Sequence, residues 1–427
     1  MKNNRPIIIS LLGYMFAASV FSSTAYAEDA FWDALTSGKI DFSARYRFEH
    51  VDDDTAIDEA KASTIRTTLG YTTGSFHGFN ARLLGQDVRS VVVDDFNDAT
   101  GRPGAKTNYA VVADPSETDF LEAYMGYGGV QNTTFKLGRQ IITYRDAPFH
   151  RFMGTVLWRQ NWQNHDAFTI RNTSLPDTVL NYAYSWNVNR IFTDKAVISA
   201  RANFDSNSHF FNAQYSGFKY GKFEGYAYLL DFDNARALST ATYGIRFNGG
   251  YPLSDKTKVI YTAEYAKQDD YADNPASINE DYFLGELGAN FKTGSVVDNI
   301  TVKFSYELLS GNGATAFQTP LATGHAYQGW TDRFLTTPGD GIEDYYVTAI
   351  AGLFGAKLVV SYHDINSDNL GYDFGQELDI QLTKTFAKHY TVGVKYGNYD
   401  ADVNANNNIG ATAADVSKFW TWVQLKF

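Results

Sequence analysis

The chain has 427 residues, a formal net charge of −12, no cysteine, 35 Gly and only 9 Pro, and 16% of it is aromatic. The aromatic load and scarce Pro exclude a collagen or a low-complexity disordered chain. The missing cysteine excludes a disulfide-stapled scaffold, and the acidic balance argues against nucleic acid as a partner, because that affinity rests on Lys and Arg against phosphate.

A negative mean hydropathy argues against a bundle of transmembrane helices, each of which needs about 20 apolar residues. A large soluble β protein or a membrane β-barrel remains, since both favour Tyr, Phe, Val and Thr. Met1 to Ala27 reads as a secretory signal peptide. Lys2 and Arg5 form a basic start, Ile7 to Val20 is the apolar stretch, and Ala25-Tyr26-Ala27 fits the small-x-small cleavage pattern. The apolar stretch is too short to span a bilayer comfortably. Ser22, Ser23 and Thr24 follow at once, which disfavours an uncleaved anchor. The mature domain is then 28–427. An exported chain meets an oxidising periplasm, where free thiols risk misbridging, so the lack of cysteine suits export.

Beyond Ala27 the sequence alternates with period two, the mark of strands with two different faces. In 40–49 one face is Ile40, Phe42, Ala44, Tyr46 and Phe48, and the other is Asp41, Ser43, Arg45, Arg47 and Glu49. Similar segments fall near 38–50, 62–73, 78–89, 118–128, 133–144, 166–172, 178–191, 208–217, 221–232, 240–250, 257–266, 281–292, 299–309, 344–354, 356–364, 374–385, 389–399 and 416–427. That makes about 18 strands, with 16 as the alternative. Connections after even strands are short, as in 74–77, 129–132 and 386–388. Most of those after odd strands are longer, including 90–117, 145–165, 267–280 and 310–343. Short turns at one rim and long loops at the other predict an all-β, transmembrane antiparallel β-barrel, with the short turns periplasmic and the long loops extracellular. The last strand carries Phe419, Thr421, Val423, Leu425 and Phe427 on one face and ends on Phe427. This terminus resembles the signal read by the barrel-assembly machinery. A closing strand of a secreted soluble protein is the alternative.

Several strings then resemble the alginate-export-type outer-membrane barrels, porin-like proteins of Gram-negative bacteria. They include Arg45-Tyr46-Arg47-Phe48-Glu49, Ala113-Asp114-Pro115, Leu137-Gly138-Arg139-Gln140, Arg151-Phe152-Met153-Gly154, Trp158-Arg159-Gln160-Asn161 and Gly329-Trp330-Thr331-Asp332. They run through the whole mature chain in order. The resemblance implies an outer-membrane location and passive diffusion of hydrophilic solutes, including an anionic oligo- or polysaccharide of the alginate kind.

With the apolar face outward, the expected channel-lining residues are Arg45, Arg47, Arg66, Arg82, Arg139 and Arg171 on the early strands and Glu264, Glu286 and Glu307 on later ones. Two readings stay open. The charges pair and merely keep the lumen wet, or they form an Arg track, whose planar forks suit carboxylates. Loops 145–165 and 310–343 are candidate constrictions, with Arg151, Trp158, Arg159, Trp330, Asp332 and Arg333 as their candidate residues. Their aromatics either stack on sugars or pack the loops against the wall. No cofactor is expected, although the acidic stretches Asp52-Asp53-Asp54, Asp94-Asp95 and Asp269-Asp270, expected in outer loops, could hold Ca²⁺. The eight His form no catalytic string. His165 and Asp166 are the nearest pair, and neighbours on a strand point to opposite faces, so no enzyme is expected. An outer-membrane hydrolase and a plugged adhesin-like or structural barrel are the alternatives.

Overall fold

A computed structural model of the chain describes residues 25–294, 296–402 and 410–427. The expected signal peptide lies outside the described residues apart from 25–27, which open helix α1 (Ala25–Thr36). Then come β1 (Lys39–Asp53), β2 (Ala60–Thr72), β3 (Phe79–Asp95), β4 (Glu117–Val130), β5 (Thr133–Gln140) and β6 (Asn164–Asn172). β7 (Thr178–Asn189), a one-turn helix α2 (Ser199–Ala202), β8 (Asn203–Tyr215), β9 (Gly221–Leu229), β10 (Thr240–Pro252), β11 (Thr257–Asp270) and β12 (Asn279–Lys292) follow. β13 (Val297–Leu309), β14 (Ile342–Leu353), β15 (Ala356–Asn366), β16 (Asp373–Phe386), β17 (Tyr390–Ala401) and β18 (Val416–Lys426) complete the chain. Each strand pairs antiparallel with the next. β18 pairs with β1 from Ser43↔Lys426 to Asp53↔Val416, so the 18-stranded sheet closes on itself. Closure leaves no free sheet edge, and a bilayer tolerates strands only in that state.

Period-two alternation now has a physical meaning. Leu69, Leu83, Leu287 and Phe304 stand on the outer face and are more than half exposed. Aromatic rings border this band. Phe79, Tyr127 and Phe135 line the rim of the short turns, in contact with one another, and Phe283, Tyr306 and Tyr345 line the other rim. From Phe283 to Phe291 on β12 is roughly 27 Å along the strand at about 3.4 Å per residue, and less along the axis of a tilted strand. That height fits an apolar belt with aromatic girdles. A surface of this kind is compatible with lipid and not with water, and the protein is an outer-membrane β-barrel. Replacing Leu287 by Arg, near the middle of the belt, is expected to cost about 2–4 kcal/mol, read as a lower urea midpoint for the barrel refolded in vesicles.

Strand 5 departs from its expected extent. It stops at Gln140 rather than running on to residue 144, because the chain there turns into the barrel and buries Ile142. Gly138 permits the distortion just before that exit. Its φ of 123° is a glycine conformation, and a Cβ would collide with the Ala123 carbonyl on β4. The acidic stretches also sit differently. Asp52 and Asp53, Asp94 and Asp95, and Asp269 and Asp270 end strands β1, β3 and β11, since those strands extend beyond the apolar belt.

Candidate functional site

The connections 141–163, between β5 and β6, and 310–341, between β13 and β14, fold into the lumen. Their own apolar residues explain why. Phe152 packs on Tyr226 and Tyr282 of the inner wall and on Phe317 of the second loop, with ring centroids 5.3, 5.2 and 5.9 Å apart. Ile142, Met153 and Leu321 join the same buried cluster. The two loops are also stitched to each other. Gly154 N donates to the Leu321 carbonyl at 2.8 Å, Thr323 N to the His150 carbonyl at 3.0 Å, and Gln163 Nε2 to the Leu321 carbonyl at 3.2 Å. These contacts join two segments distant in sequence into one unit inside the barrel.

Three arginines of loop 141–163 pin it to the wall. Arg145 donates to both Glu224 on β9 and Glu264 on β11, with Nη2 2.5 Å from Glu264 Oε1. Arg151 is 3.0 Å from Glu307 on β13. Arg159 forms a two-pronged pair with Glu49 on β1, both distances 3.1 Å, and reaches Asp332 of the other loop at 3.2 Å. The carboxylates facing the Arg145 and Arg159 forks in this way make short, directional bonds, whereas Arg151 contributes an ion pair without a hydrogen bond. Burial lowers the Arg159 pKa, but Glu49, Asp114 and Asp332 outweigh it and hold it above the usual arginine value.

The wall arginines are covered by the same loop. Arg45 donates to Gln160 Oε1 at 2.9 Å and to the Leu157 and Arg159 carbonyls, and meets no carboxylate among the described residues. Arg47 bonds Asp114 and the Trp158 carbonyl. Arg66 donates to Gln86 at 3.1 Å and lies 3.8 Å over the Trp162 ring. All three face inward, as the alternation requires, yet Arg47 is only 1% and Arg66 3% exposed. An open Arg track on these positions is therefore corrected. They support the loop, because a track needs water access that residues 157–162 take away.

Loop 310–341 has its own attachment. Thr331 donates through N and Oγ1 to Glu377 at 2.7 and 2.6 Å, Trp330 N to Asp379 at 3.1 Å, and Arg333 to Asp53 at 3.1 Å. Trp158 lies flat on His325, centroids 4.6 Å apart and 2° from parallel. His325 Nδ1 is 2.7 Å from Asp332 Oδ1, and its Nε2 is 2.7 Å from Lys395 Nζ. Burial, then Lys395, lowers the His325 pKa to about 3, so the ring is neutral at neutral pH. Burial pushes Asp332 up, but Lys418, His325 and Arg159 prevail and hold it well below the usual carboxylate range.

Arg82 faces inward and bridges Asp41 and Glu122, at 2.8 and 2.5 Å. Arg171 pairs in register with Thr134 and Asn181 and faces the lumen at the periplasmic mouth. Glu264, Glu286 and Glu307 face inward, each bonded to a cation: Arg145 with Arg246, Lys303, and Arg151. Arg139 is a correction. It shares a face with the exposed Leu137 and bonds Asp166 and Asp119 on the outside of the wall at the outer rim, because the period continues through the Gly-Arg-Gln string. His165 and Asp166 likewise part company, His165 turning inward to Ser185 and Asp166 outward to Arg139. Among the described residues no three His, Cys, Asp or Glu side chains converge as metal ligands, and Asp94 and Asp95 are both bonded by Lys106.

Sequence reasoning missed Asp114 and Glu224 as partners. Period two on β9 places Glu224 inward beside Tyr226 and could have found it. Asp114 lies on an outer loop, 96–116, with no periodic signal.

No family model matches the chain, and no curated protein matches it in sequence. Solved structures do. OccAB2 of Acinetobacter baumannii is similar with a TM-score of 0.69 and 15% identity, over 92% of this chain and 99% of that one. OccAB4 of the same organism gives 0.67 and 12%, over 92% and 99%. OpdK of Pseudomonas aeruginosa, solved with vanillate, gives 0.69 and 11%, over 92% and 99%. Likeness at such identities is a likeness of fold, and by that measure the chain has the fold of a porin-like outer-membrane β-barrel.

Proposed function

We propose that the protein is a passive channel for small hydrophilic solutes, with a preference for anions that carry carboxylates. One observation carries the reading: inside a closed barrel too wide to fill with wall side chains, two loops are pinned by buried ion pairs so as to narrow the lumen. An adhesin has no use for such a constriction, and a hydrolase needs a nucleophile, base and orienter together. The preference for anions rests on Arg171, which faces the lumen exposed and in no ion pair among the described residues, and on the carboxylate of the vanillate with which the similar OpdK was solved. The inserted loops suit a small carboxylate or a short acidic oligosaccharide better than a long alginate-like polymer. The closing strand ending at Phe427 serves, on the same reading, as the signal for barrel assembly.

The test is a planar bilayer with a KCl gradient across it. Discrete current steps and a reversal potential of the anion-selective sign are expected. Addition of short uronic acid chains should interrupt the current, and a long alginate should do so less well. A barrel without current steps overturns the channel and supports a plugged structural role, whereas a better block by long alginate moves the substrate to the polymer.

A further inference from the structure

The short-turn end of the lumen carries a ring of basic side chains that the constriction does not use. Lys39 is the first residue of β1, and it pairs with Thr72, whose hydroxyl accepts from the inward-facing Arg82. Lys426 is the last residue of β18 and pairs with Ser43, two residues from Arg45 on the same face. Lys222 stands two residues before the inward Glu224 on β9, and Lys258 opposes Asn290, which bonds Thr301 across the inner face. Lys357 on β15 and Arg171 on β6 occupy the matching depth on other arcs of the wall. All six lie within a few residues of the periplasmic ends of their strands. None is in an ion pair with a carboxylate of the described residues, and all but Lys222 are exposed.

Most of the nearby carboxylates are already occupied, and Asp298, beside Gly352 opposite Lys357, is the exception. Asp41 and Glu122 are held by Arg82, Glu286 by Lys303, and Glu224 by Arg145. The opposite rim has the reverse sign, with paired aspartates ending β1, β3 and β11. The inner wall at the periplasmic mouth is thus mostly basic, although Asp177 and Asp255 stand in the turns there and Asp298 at the start of β13. Like charges spaced around a low-dielectric wall focus a field into the water they enclose. Exposed unpaired lysines contribute nothing to holding the fold, and their common depth on separated strands serves a solute better than it serves packing.

We propose that the periplasmic mouth is a binding vestibule for multivalent anions, slender molecules carrying several carboxylates or phosphates. Each basic arc holds one anionic group, so a solute with several charges is retained where one with a single charge passes. Below the constriction, such a vestibule makes the channel asymmetric, drawing anions onward from the outside and binding polyanions from the periplasm. The inference rests on the channel reading for its consequence but not for the binding itself.

The probe is inorganic tripolyphosphate, added to either side of single channels at low salt. Orientation is reported by Asp273→Cys on an exposed outer loop, in a chain that has no other cysteine. Block from the periplasmic side is expected at about tenfold lower concentration than from the outside, and should disappear near 1 M salt, where the Debye length is about 3 Å. The triple variant Lys222→Gln, Lys258→Gln and Lys357→Gln should remove the difference while keeping the conductance. Equal block from both sides, or asymmetry unchanged in the triple variant, overturns the vestibule and leaves the channel standing. Should the barrel not conduct, equilibrium dialysis of tripolyphosphate against the purified barrel decides. Binding that the triple variant loses supports the vestibule, and binding unaffected or absent overturns it.

Discussion

Replacing Arg159 by Ala is expected to open the constriction. The side chain is buried and faces Glu49, Asp332 and, at 3.7 Å, Asp114. Its removal leaves Glu49 with Arg47, and Asp332 with Lys418 and His325, but withdraws one cation from a buried cluster. Breaking a buried ion pair from one side costs about 3–5 kcal/mol. The wall strands are held by ladders of backbone hydrogen bonds, whereas loop 141–163 is held by this pin, two others, its contacts with Arg45, Arg47 and Arg66, its hydrogen bonds to the second loop and its apolar cluster. The loss therefore falls on the loop. Larger single-channel conductance, more current noise and cleavage of the loop by external protease should appear together, with the barrel still folded. Arg159→Lys should restore only part of the effect, because an ammonium cannot make the two-pronged contact with Glu49. Conductance equal to that of the parent protein would show that the loop stays in place without the pin.

Barrel, strand number and inward face were all legible in the sequence, because period two in a two-faced strand is imposed by the chemistry of lipid outside and water inside. Arg45, Arg47 and Arg66 lie on the inward face for the same reason. What could not be read was that residues 157–162 would cover them. Loop placement depends on pairs such as Arg159 with Glu49, 110 residues apart, and local pattern carries no information about them. Arg139 failed differently. At the outer rim the exterior leaves the hydrocarbon, so a charged residue no longer marks the inner face. Asp114 shows the limit again, since a single Asp in an aperiodic loop has no face to reveal it until the fold brings Arg47 and Gln160 to it.

The same junction predicts a response to acid. His325 sits between Trp158, Trp420, Asp332 and Lys395, with Lys418 and Arg159 reaching Asp332 from the other side. With the loops docked its pKa is about 3, lowered by burial and then by Lys395, whereas a loop displaced into water returns the ring to about 6.5. Between those values the displaced state binds the extra proton, so docking weakens as pH falls from about 6.5 towards 3. At pH 4.5 the difference amounts to about 3 kcal/mol, at 1.36 kcal/mol per pH unit. Asp332 adds to the effect only below its usual value near 3.8, where its depressed folded pKa means that protonation releases Lys418 and Arg159. Single channels recorded at pH 7 and pH 4.5 should therefore show open-state fluctuations that grow with acid and reverse on return. In His325→Gln an amide replaces the ring, keeps a donor for Asp332 and has no proton to gain above pH 4. Its fluctuations should be the same at both pH values. Acid-induced fluctuation persisting undiminished in that variant would place the titrating group elsewhere and remove His325 from the control of the constriction.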